Sequence, residues 1–471
     1  MPDAVRPLRV AIVGSGPAGF YAADALLKNK TLPVEVDMFE RLIAPFGLVR
    51  SGVAPDHQKI KRAAKAFERT AADPLFRLLG NVQVGVDVSV GELLELYDQV
   101  LLSVGSSGDR KLGIPGEALN GSHAATAFVG WYNGHPSFAH EEFDLSCQRA
   151  IVVGMGNVAM DVARLLVRRT SELAETDIAA HAHRALEASR VEEVVLLGRR
   201  GPAEAAFDLG ELQDIAGLEG VDVRIEFAQL QPALDQLDTL SAGDRRKVEF
   251  MAELAARPPK AGKVVRMEFL ASPTELTGTG KPAELTDTGK PAQLTGSGNK
   301  LSQVKIERNR LVERNGQQSA QGTGEYLELE AGLVFRSIGY AGVPLPGVPF
   351  DEKRGVIPNQ EGRVVTASGE TVRALYVAGW IKRGPSGVIG TNKPDSAQTA
   401  QHMLADAAAD PARRGASREV IDGLLSQRGL KVTTYADWEK VDRLELERGQ
   451  TAGKLREKFL SNAEMLEALR K

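Results

Sequence analysis

The stretch LRVAIVGSGPAG, residues Leu8–Gly19, decides the fold of this chain. An apolar run leads into a G-x-G-x-x-G turn, which opens a predicted helix extending to about Asn29. In such a unit Gly14 permits the tight turn, Gly16 lets a ligand approach the backbone, and Gly19 lets the helix pack on the strand. The free N–H groups at the start of the helix can bind an anion. The stretch therefore predicts a strand, turn and helix that bind the pyrophosphate of a dinucleotide.

An acidic residue follows the second predicted strand of this unit. The apolar run from Val34 to Phe39 is followed directly by Glu40. A carboxylate at this position accepts hydrogen bonds from a ribose 2′-hydroxyl and repels a 2′-phosphate. The first site is therefore expected to take a dinucleotide that lacks a 2′-phosphate.

Length and composition indicate a globular protein of two or three domains. The chain has 471 residues, of which 43% are hydrophobic. Its 58 basic and 62 acidic side chains give a formal net charge of −4, so no global field favours nucleic acid or an anionic membrane. We find no apolar run of the ~18 residues that a membrane span needs and no signal peptide, and we expect a cytoplasmic protein.

Cysteine usage excludes several redox chemistries. Cys147 is the one cysteine of the chain. It cannot form an intramolecular disulfide, a Cys-x-x-Cys redox pair or a cysteine-ligated cluster. No residues suggest a metal site.

A Gly/Pro-rich loop follows Arg41 and leads into an amphipathic helix predicted from about Gln58 to Thr70. Long loops at the carboxyl ends of parallel strands commonly carry cofactor chemistry. Short strands are predicted from Asn81 to Val86 and from Gln99 to Ser103. The first domain is expected to end near Gly108.

A second fingerprint repeats the logic of the first. The apolar strand Arg149 to Val153 leads into Gly154-Met-Gly-Asn-Val-Ala159, which opens a helix predicted to reach about Arg168. Ala159 stands where the first turn has its third glycine. A second dinucleotide site is therefore expected here.

Two arginines follow the next strand of the second unit. The run from Glu193 to Leu197 ends in Gly198-Arg199-Arg200-Gly201. Paired guanidinium groups at the position of a ribose-binding acid suit a 2′-phosphate, because they are permanently charged and bind it with two hydrogen bonds. The alternative is a solvated Arg-Arg turn. After a second fingerprint we favour the 2′-phosphate interpretation.

Helices are predicted from Phe207 to Ile215, with Glu211 near the start, and from Leu240 to Ala256, with three basic residues in its first turns. Between residues 273 and 299 a nine-residue unit occurs three times, as PTELTGTGK, PAELTDTGK and PAQLTGSGN. Three polar copies are too few to build a core, so we interpret the repeat as a surface insertion.

Two further buried strands are predicted within the segments 333–340 and 374–380, the second followed by a glycine-rich passage to Gly390 and a helix from about Asp395 to Ala409. The simplest architecture is an α/β protein with two Rossmann-like domains. A discontinuous first domain comprises residues 1–108 and 332–471. The second domain, residues 109–331, is inserted into it and carries the repeat.

Seven motifs resemble the adrenodoxin-reductase-type ferredoxin–NADP reductases. They occur in family order and span residue 8 to about 460: GSGPAGFY (14–21), PFGLVRSGVAPDH (45–57), AFVGWYNG (127–134), GMGNVAMDVAR (154–164), GRRGP (198–202), SIGY (337–340) and GWIKRGPSGVIGT (379–391). The resemblance implies FAD in the discontinuous domain and NADPH in the inserted one. This agrees with the two unlike sites predicted from the residues.

The same resemblance implies the residues at each site. FAD would contact Gly14, Gly16, Ala18, Gly19, Glu40, Leu48, Val84, Trp380, Gly387, Val388 and Ile389. NADPH would contact Met155, Gly156, Asn157, Val158, Arg199, Arg200, Glu211 and Gly387. Met155 departs from the polar residue that the family often shows there, at little expected cost because backbone N–H groups bind the pyrophosphate.

The resemblance also implies the reaction. NADPH would pass a hydride to the flavin N5, and single electrons would then go to a [2Fe-2S] or similar ferredoxin that supplies a monooxygenase or another acceptor. His57 and Glu211 would lie beside the reacting groups and orient or relay protons. Arg245, Arg246 and Lys247 would dock an acidic ferredoxin, and the working unit would be a monomer.

Three other functions fit the sequence less well. Disulfide reductases share the two-dinucleotide architecture but need a cysteine pair, which this chain lacks. Flavin monooxygenases fit the motif set less well. An electron-entry subunit of a larger complex, like that of glutamate synthases, usually comes with cysteine-ligated clusters.

Overall fold

The computed structural model describes residues 6–279, 299–314, 317–412 and 415–471. Within these ranges the chain forms two large, mainly parallel sheets with helices on their faces, as the sequence predicts. The buried strands are nearly continuous apolar runs because both faces of each sheet are covered. No helix in the described ranges combines the length and apolar content needed to cross a bilayer.

The first sheet has seven strands, of which five are parallel. In spatial order they are Asn359–Gln360, Arg363–Val365, Thr371–Val377, Gln99–Leu102, Leu8–Val13, Val34–Glu40 and Phe76–Gly80. The first fingerprint strand lies inside the sheet. Its turn therefore opens at the carboxyl edge, flanked by neighbouring strand ends.

The second sheet has six strands, all parallel. In spatial order they are Ser122–Ala124, Leu333–Arg336, Arg149–Val153, Glu193–Leu197, Lys263–Glu268 and Val221–Ile225. The second fingerprint strand is again internal, so the two turns have equivalent places in their sheets.

One predicted boundary is wrong. The strand Leu333–Arg336 pairs with Ser122–Ala124 and Arg149–Val153 in the second sheet, although residue 332 was expected to begin the return to the first domain. The chain re-enters the first sheet only at Asn359. An apolar strand does not reveal which of two parallel sheets it will join.

The two places where the chain passes between the sheets lie side by side. Gly108–Asp109 pairs with Tyr340–Ala341 in a short antiparallel ladder. The outgoing and returning segments therefore leave and enter the first domain together.

Helices cover both sheets. Those of the first domain are Pro17–Leu27, Leu48–Ser51, Gln58–Lys61, Ala64–Ala71, Val90–Leu96, Trp380–Arg383, Asn392–Ala409, Arg418–Gln427, Tyr435–Thr451 and Asn462–Ala468. Those of the second are Ala125–Tyr132, Asn157–Val167, Thr170–Leu173, Ala180–Glu187, Leu209–Ala216, Phe227–Leu234 and Ala242–Ala255. Leu237–Thr239 and Ile389–Thr391 are 3₁₀ turns.

Two local predictions are corrected. The helix expected from Gln58 to Thr70 is two helices, Gln58–Lys61 and Ala64–Ala71. The strand expected from Asn81 to Val86 is instead Phe76–Gly80. Asn81 has a left-handed backbone (φ 60°), which ends the strand before the segment that was predicted to form it.

A third sheet belongs to the second domain and packs on its parallel sheet. Its antiparallel strands are Ala271–Thr279, Lys300–Arg314 and Gln317–Glu330, and we call it the three-stranded sheet. The first copy of the nine-residue repeat starts in the strand Ala271–Thr279, and residues 280–298, which carry most of the repeat, lie outside the described residues.

The C-terminal segment joins the two domains through buried charges. Lys458, which is 2% exposed, donates hydrogen bonds to the carbonyl oxygens of Asn133 and Arg50 and pairs with Asp177 at 3.0 Å. Lys61 of the first domain pairs with the same Asp177 carboxylate at 2.6 Å. We call Lys61, Asp177 and Lys458 the interdomain ion cluster.

Candidate functional site: two dinucleotide turns and the cleft between them

The first turn leaves no room at its first and third glycines and open space at its second. Gly14 has φ 101°, and a Cβ there would lie 2.7 Å from the carbonyl oxygen of Ser103. A Cβ on Gly19 would lie 2.2 Å from the carbonyl oxygen of Gly14. A Cβ on Gly16 would meet nothing within 4 Å. The backbone at Gly16 is thus open to a ligand, which fits the pyrophosphate of FAD.

Glu40 is fixed in place by the turn itself. One carboxylate oxygen accepts hydrogen bonds from the Ser15 N–H at 3.0 Å and the Ser15 hydroxyl at 2.7 Å. The other accepts from the Leu42 N–H at 3.0 Å. A carboxylate with a fixed orientation and a half-buried side chain suits ribose hydroxyls.

Two distant segments close on the first turn. The Phe46 N–H donates to the Ser15 carbonyl at 3.0 Å, and a Cβ on Gly47 would lie 3.1 Å from the Gly16 Cα. From the returning chain, a Cβ on Gly379 would lie 2.6 Å from the Ala18 Cβ. The loop and the returning strand therefore meet the predicted FAD turn.

The remaining predicted flavin residues are placed as follows. Leu48 begins the short helix after this loop and is 37% exposed, whereas Val84 is buried. Trp380 is half-buried, and its ring centroid lies 5.3 Å from that of Tyr340. The residues of the glycine-rich passage that were assigned to FAD, Gly387 to Ile389, are exposed or half-exposed, and Gly387 has φ 78°.

The second turn has the same form. Gly154 has φ 132°, and a Cβ there would lie 2.1 Å from the Ser337 carbonyl oxygen, while a Cβ on Gly156 would meet nothing within 4 Å. Met155 is buried, so its side chain is withdrawn from the open space. This is consistent with backbone N–H groups, including those near half-buried Val158, forming the anion site.

Asn157 links the second turn to the helix that carries Glu211. Its amide donates to an Asp208 carboxylate oxygen at 2.7 Å and accepts from the Asp208 N–H at 2.8 Å. Asp208 directly precedes the helix Leu209–Ala216. The predicted NADPH residues Asn157 and Glu211 are thus brought to one region.

Arg199 and Arg200 have no acidic partner among the described residues. Arg199 is exposed and Arg200 half-buried, and neither forms an ion pair there within 4.0 Å. Arg200 donates only a long hydrogen bond of 3.4 Å to the Glu204 carbonyl. Their positive charge therefore remains available to an anion.

His57 and Glu211 approach each other across the two domains. The His57 Nδ1 atom lies 3.9 Å from a Glu211 carboxylate oxygen and 3.9 Å from Asp161 Oδ1, and Nε2 lies 3.5 Å from Asp214 Oδ2. His57 comes from the loop of the first domain, and the three acids come from helices of the second. The predicted pair thus belongs to a larger cluster around His57, which is distinct from the interdomain ion cluster.

A buried guanidinium organises this cluster. Arg164 has a side-chain exposure of 0% and donates to Asp56 at 2.7 Å, to Asp161 at 2.5 Å and to Glu211 at 2.8 Å. Asp161 and Glu211 with His57 have the residue types of a metal site, but the Arg164 cation already compensates these acids.

The acids of the cluster differ in their pKa values. Burial raises the pKa of Asp161 to about 6 against the opposing charge of Arg164. Burial also acts to raise the pKa of Asp56, but hydrogen bonds and charge from Arg164 outweigh it, so the pKa of Asp56 is lowered. Burial raises the pKa of nearby Tyr340 to about 12, with a contribution from Asp161.

Only two of the three basic residues predicted to dock ferredoxin are exposed. Arg245 and Arg246 are exposed on the helix Ala242–Ala255, and Arg245 pairs with Glu249 at 3.0 Å. Lys247 is buried, donates to the Ala205 carbonyl and lies 5.6 Å from the Phe207 ring centroid. Lys247 therefore takes no part in an exposed basic patch, which corrects that prediction.

Four residues of the cluster around His57 were missed, namely Asp56, Asp161, Arg164 and Asp214. The first three lie inside the family motifs. Asp161 and Arg164 are three residues apart on one helix, which places them on the same face. That spacing was the available signal, but the contact with Asp56 depends on tertiary structure.

Comparisons with known proteins identify relatives of this chain. A family model described as "Pyridine nucleotide-disulphide oxidoreductase" matches residues 8–201. The chain is 45% identical to the NADPH-ferredoxin reductase FprA of Mycobacterium leprae over 97% of both chains. It is 40% identical to the mitochondrial NADPH:adrenodoxin oxidoreductase of Salvelinus fontinalis, over 98% of this chain and 91% of the relative.

A solved structure is also similar over nearly the whole chain. It is that of Mycobacterium tuberculosis FprA in complex with NADPH, with a TM-score of 0.90 and 43% identity. The similarity covers 99% of this chain and 100% of that one.

Proposed function

This chain belongs to the family of NADPH-ferredoxin reductases and NADPH:adrenodoxin oxidoreductases, and on that premise we propose that it transfers electrons from NADPH, through bound FAD, to a ferredoxin. The observation that carries the proposal is the contrast between the two turns. Glu40 presents a fixed carboxylate after the first, and Arg199 and Arg200 present uncompensated guanidinium groups after the second. FAD has ribose hydroxyls to match the first, and NADPH has a 2′-phosphate to match the second.

The first domain supplies the FAD site. Open backbone at Gly16 would receive the pyrophosphate, Glu40 would hold the ribose, and the Gly387–Ile389 backbone would contact the flavin. Leu48, Val84 and Trp380 complete the lining. Bound FAD supplies the chemistry of accepting a hydride and releasing single electrons.

The second domain supplies the NADPH site. Open backbone at Gly156 receives the pyrophosphate, with Met155, Asn157 and Val158 forming the turn around it. Arg199 and Arg200 bind the 2′-phosphate with charge-assisted hydrogen bonds. Gly387 would contribute backbone to this site as well as to the FAD site.

His57 and Glu211, which face each other across the two domains, would orient the bound NADPH and relay protons beside it. Arg164 supports this role because it holds the Glu211 and Asp161 carboxylates on the side that faces His57. Hydride transfer itself needs no strong acid or base. Replacing His57 or Glu211 with Gln is therefore expected to slow turnover without abolishing it.

The ferredoxin partner is proposed to be acidic and to dock at Arg245 and Arg246. Both side chains are exposed on one helix. Arg245 pairs with Asp238 and Glu249, whereas Arg246 forms no ion pair with the described residues and supplies the uncompensated positive charge of this surface. We further propose a monomeric working unit and a cytoplasmic location. A chain with one cysteine and no disulfide suits a reducing compartment.

The decisive experiment uses the purified full chain. We expect a yellow protein with a flavin spectrum that is bleached by NADPH far more readily than by NADH. Cytochrome c reduction should require added ferredoxin, whereas ferricyanide reduction should not. A colourless protein, or one that is active only with a second subunit, would contradict the proposal.

A further inference from the structure

The backbone of the Arg199–Arg200 turn is hydrogen-bonded to the residues that begin the first strand of the three-stranded sheet. The Gly198 carbonyl accepts a hydrogen bond from the Ala271 N–H at 2.9 Å, and the Arg200 carbonyl accepts one from the Leu270 N–H at 3.1 Å. Consecutive anchors of this kind fix the direction in which the arginine side chains leave the backbone.

The middle carbonyl of the turn is held by a side chain. The Asn309 Nδ2 group donates to the Arg199 carbonyl oxygen at 3.0 Å and to the Ser272 hydroxyl oxygen at 2.8 Å. The Asn309 N–H donates to the Leu270 carbonyl at 2.7 Å. One asparagine thus connects the turn, the residue that anchors the turn and the first strand of the three-stranded sheet.

The local backbone is shaped for these contacts. Leu270 has φ 52°, a left-handed conformation that a leucine rarely adopts. Asn309 lies where the register between Lys300–Arg314 and Gln317–Glu330 shifts. Bulges and left-handed non-glycine residues concentrate where a strand is redirected toward a functional group, and here both face the same turn.

The arginine side chains have no other anchor of comparable strength. Among the residues that the structure describes, no carboxylate lies within 4.0 Å of either guanidinium, and Arg200 makes only the long bond to Glu204. The orientation of the two guanidinium groups toward a 2′-phosphate therefore depends on how their backbone is held.

We propose that Asn309 is a positioning residue for the choice of NADPH over NADH, acting through the Arg199 carbonyl. The three-stranded sheet then contributes to cofactor selectivity without touching the cofactor's reacting end. The inference rests on the proposed function, in that Arg199 and Arg200 are taken to bind the 2′-phosphate.

The test compares Asn309→Ala and the isosteric Asn309→Asp with a matched control, Ser272→Ala. The aspartate keeps the shape of the side chain but has no N–H to donate to the Arg199 carbonyl, and it remains informative if the alanine variant folds poorly. The control removes the other bond of the Asn309 amide and leaves the bond to Arg199 intact. The probes are adenosine 2′,5′-bisphosphate and AMP, titrated calorimetrically into the flavin-loaded full chain.

We expect Asn309→Ala to weaken the bisphosphate about fivefold, as the loss of one hydrogen bond predicts, and Asn309→Asp to weaken it further through charge. AMP affinity, flavin content and turnover with NADH should stay at wild-type values. In an Arg199→Ala/Arg200→Ala background the Asn309→Ala change should have no further effect, because no guanidinium group remains for the turn to orient.

The two proposals fail in different ways. If Arg199→Ala and Arg200→Ala leave the ratio of bisphosphate to AMP affinity unchanged, the assignment of the 2′-phosphate site is wrong. If those variants lower the ratio while both Asn309 variants retain it, or if Ser272→Ala lowers it equally, the role of Asn309 is wrong.

Discussion

The two fingerprint turns share one backbone plan but tolerate different residues at the third position. In the first turn a Cβ on Gly19 would lie 2.2 Å from a carbonyl oxygen. In the second turn Ala159 occupies that position and is fully buried. The helix after the second turn therefore lies far enough from its strand to accept a methyl group. In the pattern G-x-G-x-x-G/A, a final glycine thus goes with a closer approach of helix and strand than a final alanine does.

The turns also differ in the residues that come after the next strand. Glu40 folds back on Ser15 of its own turn, whereas the carbonyl groups of the Arg199–Arg200 turn are held by a separate sheet and the guanidinium groups are left free. Here the acid is oriented by its own turn, whereas the two arginines are oriented through their backbone. We therefore propose that the residues after the second strand, and not the glycines, determine which ligand each site prefers.

The strongest test of the packing difference exchanges the third residues. Gly19→Ala is expected to cost about 3 kcal/mol, because its Cβ meets backbone, and to yield protein without flavin. Ala159→Gly should cost only about 1 kcal/mol and retain full flavin. Thermal unfolding and the ratio of flavin to protein absorbance measure both. Similar losses in the two variants would show that the turns pack alike.

The second prediction separates the two ligands. Gly16→Val and Gly156→Val each place a side chain in open space, so both proteins should fold. The first should be colourless, because its side chain fills the place of the FAD pyrophosphate. The second should be yellow but no longer bleached by NADPH. A Gly156→Val protein that lost its flavin would refute the assignment of the two turns.

The third prediction concerns ligand choice. Replacing both Arg199 and Arg200 with Ser should lower the preference for NADPH over NADH, as the ratio of kcat/KM values, about 100-fold, since each charge-assisted hydrogen bond contributes ~1.5 kcal/mol or more. Flavin content should be unchanged. The exposed pair Arg245 and Arg246, changed likewise to Ser, is the matched control and should leave this ratio intact.

The smallest expected effect concerns the partner surface. Arg245→Glu with Arg246→Glu should slow ferredoxin-dependent cytochrome c reduction about tenfold at low ionic strength and flatten its salt dependence. NADPH oxidation by ferricyanide should be unaffected. Lys247→Met tests whether Lys247 is excluded from this surface: because Lys247 is buried, the change should lower thermal stability and leave the salt dependence as in wild type. Equal loss of both activities in the double Glu variant would reject this docking site.

Much of the fold could be predicted because its signals are local. The strands Arg149–Val153 and Glu193–Leu197 have the bounds that the sequence predicts, since each is a buried apolar run closed by glycine. The glycines of both turns were predicted for the same reason. The strand Phe76–Gly80 was placed too late, because its end depends on the left-handed Asn81 and not on hydrophobicity.

The parts that were missed depend on distant contacts. Leu333–Arg336 is apolar enough for either sheet, and only its pairing with Ser122–Ala124 and Arg149–Val153 settles its place. Lys247 belongs to a basic run in the sequence but turns inward to the Ala205 carbonyl. The salt bridge between Arg164 and Asp56 joins residues of different domains. Periodicity carries no information about such pairs.

The interdomain ion cluster has a consequence for how electrons can be delivered. Lys61 and Lys458 reach the Asp177 carboxylate from the first domain and from the C-terminal segment. Swinging the domains apart would break these pairs and leave a buried charge without its partner, at a cost of about 3 to 5 kcal/mol. We therefore expect the two domains to keep their mutual orientation in most molecules. The spacing between the two dinucleotide turns is then set when the chain folds.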